Sequence, residues 1–288
     1  MHTFVIALQI ICVLVVFIEC MIVLRRWKRS VHTFLFMSCI ALFVNCIGYL
    51  LELLSTSIES YLTALKLSYV GREWYVFFMF LFVAELTGKK LPLFVRNIII
   101  IFNITVNTSI FLTPLTDLYY TDISFDTSGA LPLFVHGDGI LHHINMGFQI
   151  IYIVIGMSWL FAAGIKSKSK LAVKRYTTVI IAVFIESLFF IIKLIGIPGL
   201  TEYYDITMIG FIISTIIMFV AIFSYDLLGT QELAKEYIID RLSEGIIAVD
   251  NEGEVQYVNA PAKRLFPALA NKKSDTALMP IRLRPFQR

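Results

Sequence analysis

"YYDITMIGFIISTIIMFVAIFSYDLLG", Tyr203–Gly229, is the stretch whose reading decides the fold. Residues 205–227 form an apolar run with no Lys or Arg. About 20 mostly apolar residues cover the hydrocarbon core of a bilayer, so this segment is long enough to cross it as one helix. Six more stretches of the same kind precede it, at about 3–24, 32–54, 61–87, 93–113, 139–164 and 175–197. The composition agrees. The chain has 288 residues, 58% hydrophobic and 16% charged, against roughly 45–50% apolar and 25% charged in soluble domains. These numbers imply an all-α membrane protein, a seven-transmembrane helix bundle in the cell membrane. The net charge of +3 calls for no nucleic-acid partner, and no cofactor is implied.

Orientation follows from where the basic residues fall. Arg25, Arg26, Lys28 and Arg29 occupy the first loop, Lys89, Lys90 and Arg96 surround the third, and Lys166, Lys168, Lys170, Lys174 and Arg175 fill the fifth. The alternate loops carry Glu59, then Asp117, Asp122, Asp126 and Asp138, then Glu202 and Asp205, with no Lys or Arg. Positive charge stays on the cytoplasmic side. The expectation is therefore an external N-terminus and a cytoplasmic tail. The first span has its basic cluster behind it instead of before it and no A-x-A-like site, so it reads as an uncleaved helix. Cys12, Cys20, Cys39 and Cys46 all lie in the first two spans and read as small buried hydrophobes.

Beyond Asp226 the sequence turns polar. "LLGTQELAKEYIIDRLS" has apolar residues at mixed three- and four-residue spacing, as either a two-stranded coil across a homodimer or a helix packed on its own neighbours requires. Then "EGIIAVDNEGEVQYVN", Glu244–Asn259, alternates as a strand over 246–250, turns at Asn251-Glu252-Gly253, and alternates again over 254–258. Asn259 is placed to cap a helix over 260–265, with Pro261 tolerated in its first turn.

This hairpin and helix resemble the opening of a PAS domain. Taken with the seventh span before them, and with "LPLFVHGDGILHH" entering the fifth, the chain resembles the N-terminal seven-transmembrane sensor region of bacterial histidine kinases and diguanylate cyclases. Gln231 and Glu232 stand where members often carry a proline. The resemblance implies a sensor domain over 1–228, a signalling helix over 229–243 and an incomplete α+β PAS-like segment over 244–288. It also implies two-component signalling, with kinase or cyclase activity in a full-length relative. About 45 residues follow Glu244, short of the roughly 100 of a PAS domain and too few to bury a core alone. The expectation is a non-enzymatic sensor part of a longer signalling protein.

An ionisable group inside a span costs about 3 kcal/mol or more unless it pairs, snorkels or faces a cavity. The candidates are Lys66, Arg72 and Glu73 in the third span, and Glu186 and Lys193 in the sixth. Asn103 and Asn107 lie in the fourth, and His142, Asn145, Gln149 and Tyr152 share one face of the fifth. Two readings stand. In one, Arg72 or Lys66 pairs with Glu186 or Glu73, and Lys193 snorkels outward. In the other, Lys66, Arg72, Glu73, Asn107, His142, Asn145, Gln149, Glu186 and Lys193 line an external pocket for a small carboxylate or phosphate ligand. His136, Asp138, His142 and His143 offer donors for a divalent ion, without a strong zinc spacing, and the same cluster can titrate near neutral pH. A sensor relaying a stimulus through the seventh span competes with a small-solute transporter or a structural membrane protein. The absence of an internal repeat argues against the transporter.

Overall fold

The computed structural model describes residues 2–25, 30–126, 129, 133–167, 169–197, 204–225, 227, 243–249 and 255–266. The chain divides into two units, Met1–Leu228 and Gly229–Arg288. The first is built on α1 (His2–Arg25), α2 (Ser30–Leu53), α3 (Ile58–Leu86), α4 (Leu93–Phe111), α5 (Ile140–Lys166), α6 (Lys170–Ile195) and α7 (Thr207–Ser224), with a hairpin of β1 (Tyr120–Asp126) and β2 (Leu133–Asp138) between α4 and α5. All seven helices are long and apolar enough to cross a membrane. Apolar side chains such as Phe4, Ile101, Val154, Phe184 and Ile216 point outward, as a lipid-facing surface requires.

Local chemistry sets the helix ends. Ser57 and Ser60 form a capping box that starts α3 three residues before the expected position. Ser169 accepts from the Ala172 amide, so α6 begins at Lys170 instead of 175; long basic side chains let their residues join a helix while their charged ends reach the polar boundary. Gly196 closes α6 at φ 70°, a left-handed backbone that glycine adopts without strain.

Small residues bring the helices together where lipid supplies no hydrophobic drive. A Cβ on Gly71 would lie 2.2 Å from the Asn45 backbone nitrogen, and one on Gly48 2.3 Å from that of Ser68, so α2 and α3 pack backbone to backbone. A Cβ on Gly210 would meet Phe189 at 3.0 Å, so the Gly210–Ser214 side of α7 is occupied by α6. All four cysteines are buried and free, as expected. Glu19 is buried and accepts a 3.0 Å hydrogen bond from Thr215 Oγ1 on α7.

The segment after α4 is folded. It forms an antiparallel hairpin pairing Tyr120 with Asp138 and Phe125 with Phe134, with a bulge between Thr121 and Ser124. Tyr119 and Tyr120 pack with Tyr69 and Val106, which fixes the hairpin on α3 and α4. In the second unit, β3 (Ile247–Val249) pairs with β4 (Val255–Val258), and α8 (Ala260–Leu265) follows. Asn259 ties them together. Its Oδ1 accepts from the Ala262 and Ile246 amides at 3.0 and 2.8 Å, and its Nδ2 donates to the Glu244 carbonyl. The expected signalling helix over 229–243 except Ser243, the turn at 251–253 and the segment beyond Leu269 lie outside the described residues.

Candidate functional site

A cavity of about 360 Å³ opens among α3, α5, α6 and the start of α7, with the hairpin at one end. That volume is within the range of small-molecule sites. Its walls divide by chemistry. At the hairpin end stand Arg72, Tyr120, His136, Asp138, His142 and Lys193. Midway are Tyr75, Gln149, Tyr152 and Glu186, and the far end is formed by Met79, Phe80, Val83, Gly156 and Val183.

The two cations meet at one carboxylate. Arg72 Nη2 lies 3.0 Å from Asp205 Oδ2, and Lys193 Nζ contacts the same oxygen. Asp205 Oδ1 accepts from the amide and the hydroxyl of Thr207 at 3.1 and 2.6 Å, satisfying a free donor in the first turn of α7. The Asp205 amide donates to Tyr49 Oη on α2 at 2.6 Å. Asp205 thus joins both cavity cations, α2 and the start of α7. Burial alone would raise its pKa, but Lys193 and Arg72 outweigh burial and hold the carboxyl well below the ordinary carboxylate range. At the other end of α7, Arg175 Nε donates to the Tyr225 carbonyl at 2.7 Å.

Eight of the nine sequence-derived binding candidates separate into two groups. Arg72, His142, Gln149, Glu186 and Lys193 line the cavity. Glu73, Asn107 and Asn145 build a different network: Asn145 Nδ2 donates to Glu73 Oε1 at 2.8 Å and to Tyr119 Oη at 3.1 Å, while Asn107 donates to the Asn103 carbonyl. Lys66 is half-buried on α3 and lines neither. The expected pairing of Arg72 or Lys66 with Glu186 or Glu73 is replaced. Arg72 pairs with Asp205, Glu73 takes the Asn145 amide, and Glu186 Oε2 accepts from Tyr75 Oη at 2.6 Å. Lys193 also turns inward to Asp205 instead of snorkelling away.

The histidine cluster does assemble. His136 Nδ1 and His142 Nδ1 lie 3.3 and 3.4 Å from Asp138 Oδ1. Asp138, His142 and His143 place one donor atom each within 4.8 Å of one another. Burial lowers the His136 pKa against the opposing pull of the Gly137 carbonyl and Asp138.

Sequence reasoning passed over Asp205 as a binding residue because it counted there only as a loop charge. Tyr75 carried no signal. Glu52, buried on α2 and accepting from Tyr61 Oη at 3.1 Å, was visible as an acid inside a span.

No curated protein matches this chain. Residues 7–230 match the family described as the N-terminal 7TM region of histidine kinase. With seven helices long and apolar enough to cross a membrane and a match over most of its length, the chain belongs to that family of N-terminal 7TM regions of histidine kinases.

Proposed function

We propose that this chain is a receptor module whose cavity takes a small ligand from outside the cell and whose seventh helix carries the resulting change to a cytoplasmic signalling domain. The observation that carries the reading is the double role of Asp205, bound to both cavity cations and to the first turn of α7. A ligand that alters the Arg72–Lys193 end of the cavity alters the anchorage of that helix by differential contact, which population shift requires. The basic loops support an external hairpin and a cytoplasmic tail. On this reading the hairpin and helix over 246–265 begin a PAS-type module, and the segment over 229–243 pairs with a second copy to pass the change on.

The test needs no ligand. Residues 1–230 are joined to a histidine kinase catalytic core, and autophosphorylation is compared between the native sequence and Asp205→Asn in membranes containing equal amounts of each. A change of several-fold in either direction is expected, since the amide leaves both cations without their counter-charge. Identical rates would remove α7 as the relay.

A second reading has its own observation: the donor spacing of Asp138, His142 and His143 suits one divalent ion. Zinc titration of the purified chain, followed by calorimetry, should then show one site that His143→Ala abolishes. Unchanged heats in that variant would discard it.

A further inference from the structure

Two deeply buried side chains point to what fills the cavity. Gln149 and Tyr152 are 6% and 8% exposed and line its middle. Gln149 Nε2 and Tyr152 Oη have no hydrogen-bond partner among the described residues, whereas His142 Nδ1 nearer the hairpin faces Asp138 Oδ1 at 3.4 Å. Buried polar atoms left unpaired are costly, and native structures retain few of them without a reason. Here two lie on one face of one helix and border one cavity.

Their spacing gives the occupant a shape. His142 and Gln149 are about 10 Å apart along α5, and Tyr152 about 5 Å further, at 1.5 Å per residue. Long side chains on a helix lean toward its N-terminus by about a turn. The Gln149 amide is therefore carried from its own turn toward the hairpin end of the cavity. Facing this polar strip are apolar groups of α3, α6 and α7, among them Val76, Met79, Phe80, Phe190 and Phe211. Where the strip ends, Arg72 and Lys193 share the single oxygen Asp205 Oδ2. A guanidinium carries five N–H donors and an ammonium three, so both keep donors for a second acceptor. Their present partner shows the chemistry they accommodate, which is a carboxylate.

We infer that the cavity binds an amphipathic carboxylate of the N-acylated amino acid type, its carboxylate on Arg72 and Lys193, its amide carbonyl on Gln149, and its acyl chain against Phe80 and Val83. The head group shares the two cations with Asp205, weakens their hold on its carboxylate, and so loosens the first turn of α7. This inference rests on the receptor reading above and adds the ligand class to it.

The chain in lipid nanodiscs is titrated with N-decanoylglycine, its methyl ester, dodecanoate and decyl phosphate. Binding is followed by tryptophan fluorescence, since Trp159 stacks on cavity-lining Phe80 at 5.2 Å between ring centroids. N-decanoylglycine should bind at least tenfold more tightly than its ester, and Arg72→Gln should remove that preference. Dodecanoate, lacking the amide, should bind several-fold more weakly in the native chain but not in Gln149→Leu. Hydrogen exchange at Thr207 should speed up on binding, because its amide bonds to Asp205.

Equal binding of acid and ester overturns the cation-held head group, and tighter binding of decyl phosphate overturns the carboxylate. Binding without faster exchange at Thr207 overturns the weakened hold on Asp205. If no probe binds while Asp205→Asn still alters the kinase fusion, the ligand class falls and the receptor reading stands. If N-decanoylglycine binds as expected and that variant leaves the fusion unchanged, the reverse holds.

Discussion

Asp205 shows why a single side chain can govern a helix. Replacing it with asparagine keeps its volume and its bond to Thr207 but strips the counter-charge from Arg72 and Lys193. Removing one member of a fully buried pair costs about 3 kcal/mol, and less here because the Lys193 side chain is 36% exposed; the unfolding temperature of Asp205→Asn should drop accordingly. The dependence on pH has a definite sign. Lys193 and Arg72, against the upward push of burial, hold the folded-state pKa of Asp205 below its unfolded value of about 4. As pH falls, the unfolded chain takes up this proton first, so the stabilisation is complete above about pH 4 and lost below it. The difference in unfolding temperature between native and Asp205→Asn chains should stay constant from pH 8 to 5 and shrink only below 4. A difference that already shrinks at pH 6 would mean that Asp205 is not held by the two cations. Five cavity residues were legible in the sequence because an ion or an amide inside a span is a signal in itself. Asp205 was not, since its role depends on how the α6–α7 connection folds back toward Tyr49, which no local pattern encodes.

Helix pairing rests on positions where no side chain fits. Gly71→Val would drive its methyl groups into the α2 backbone at Asn45, and the bundle has no rotamer change that relieves a backbone contact. Loss of several kcal/mol or failure to insert is expected. Gly147→Ala, with no atom near its added Cβ, should be neutral or stabilise by up to about 1 kcal/mol through helix propensity. Detergent-solubilised melting curves of both variants check the pair, and equal melting points would contradict the close packing of α2 on α3. All seven helices could be read from hydropathy because lipid-facing surfaces leave little polar residue in a span. The β1–β2 hairpin could not. Only β1 alternates, over Asp122–Asp126, while β2 does not, and the pair is fixed instead by aromatic packing of Tyr120 and Phe134 against Tyr61 and Tyr69. The closeness of Gly48 to Ser68 was equally hidden, because a glycine in a helix shows its purpose only once its neighbour is known.

For the whole molecule, one geometric relation carries the account: the cavity's charged end, the hairpin and Asp205 share one end of the bundle, and Tyr225 at the close of α7 lies at the other. A receptor needs the first end outside and the second inside. The direct measurement places single cysteines at Ser124, exposed on β1 of the hairpin, and at Ser169 before α6, in a chain whose four native cysteines are buried. Intact cells are treated with a membrane-impermeant maleimide before and after lysis. The account predicts labelling of Ser124→Cys in intact cells and of Ser169→Cys only after lysis. Labelling of Ser169→Cys in intact cells with protection of Ser124→Cys would turn the cavity toward the cytoplasm and contradict the receptor.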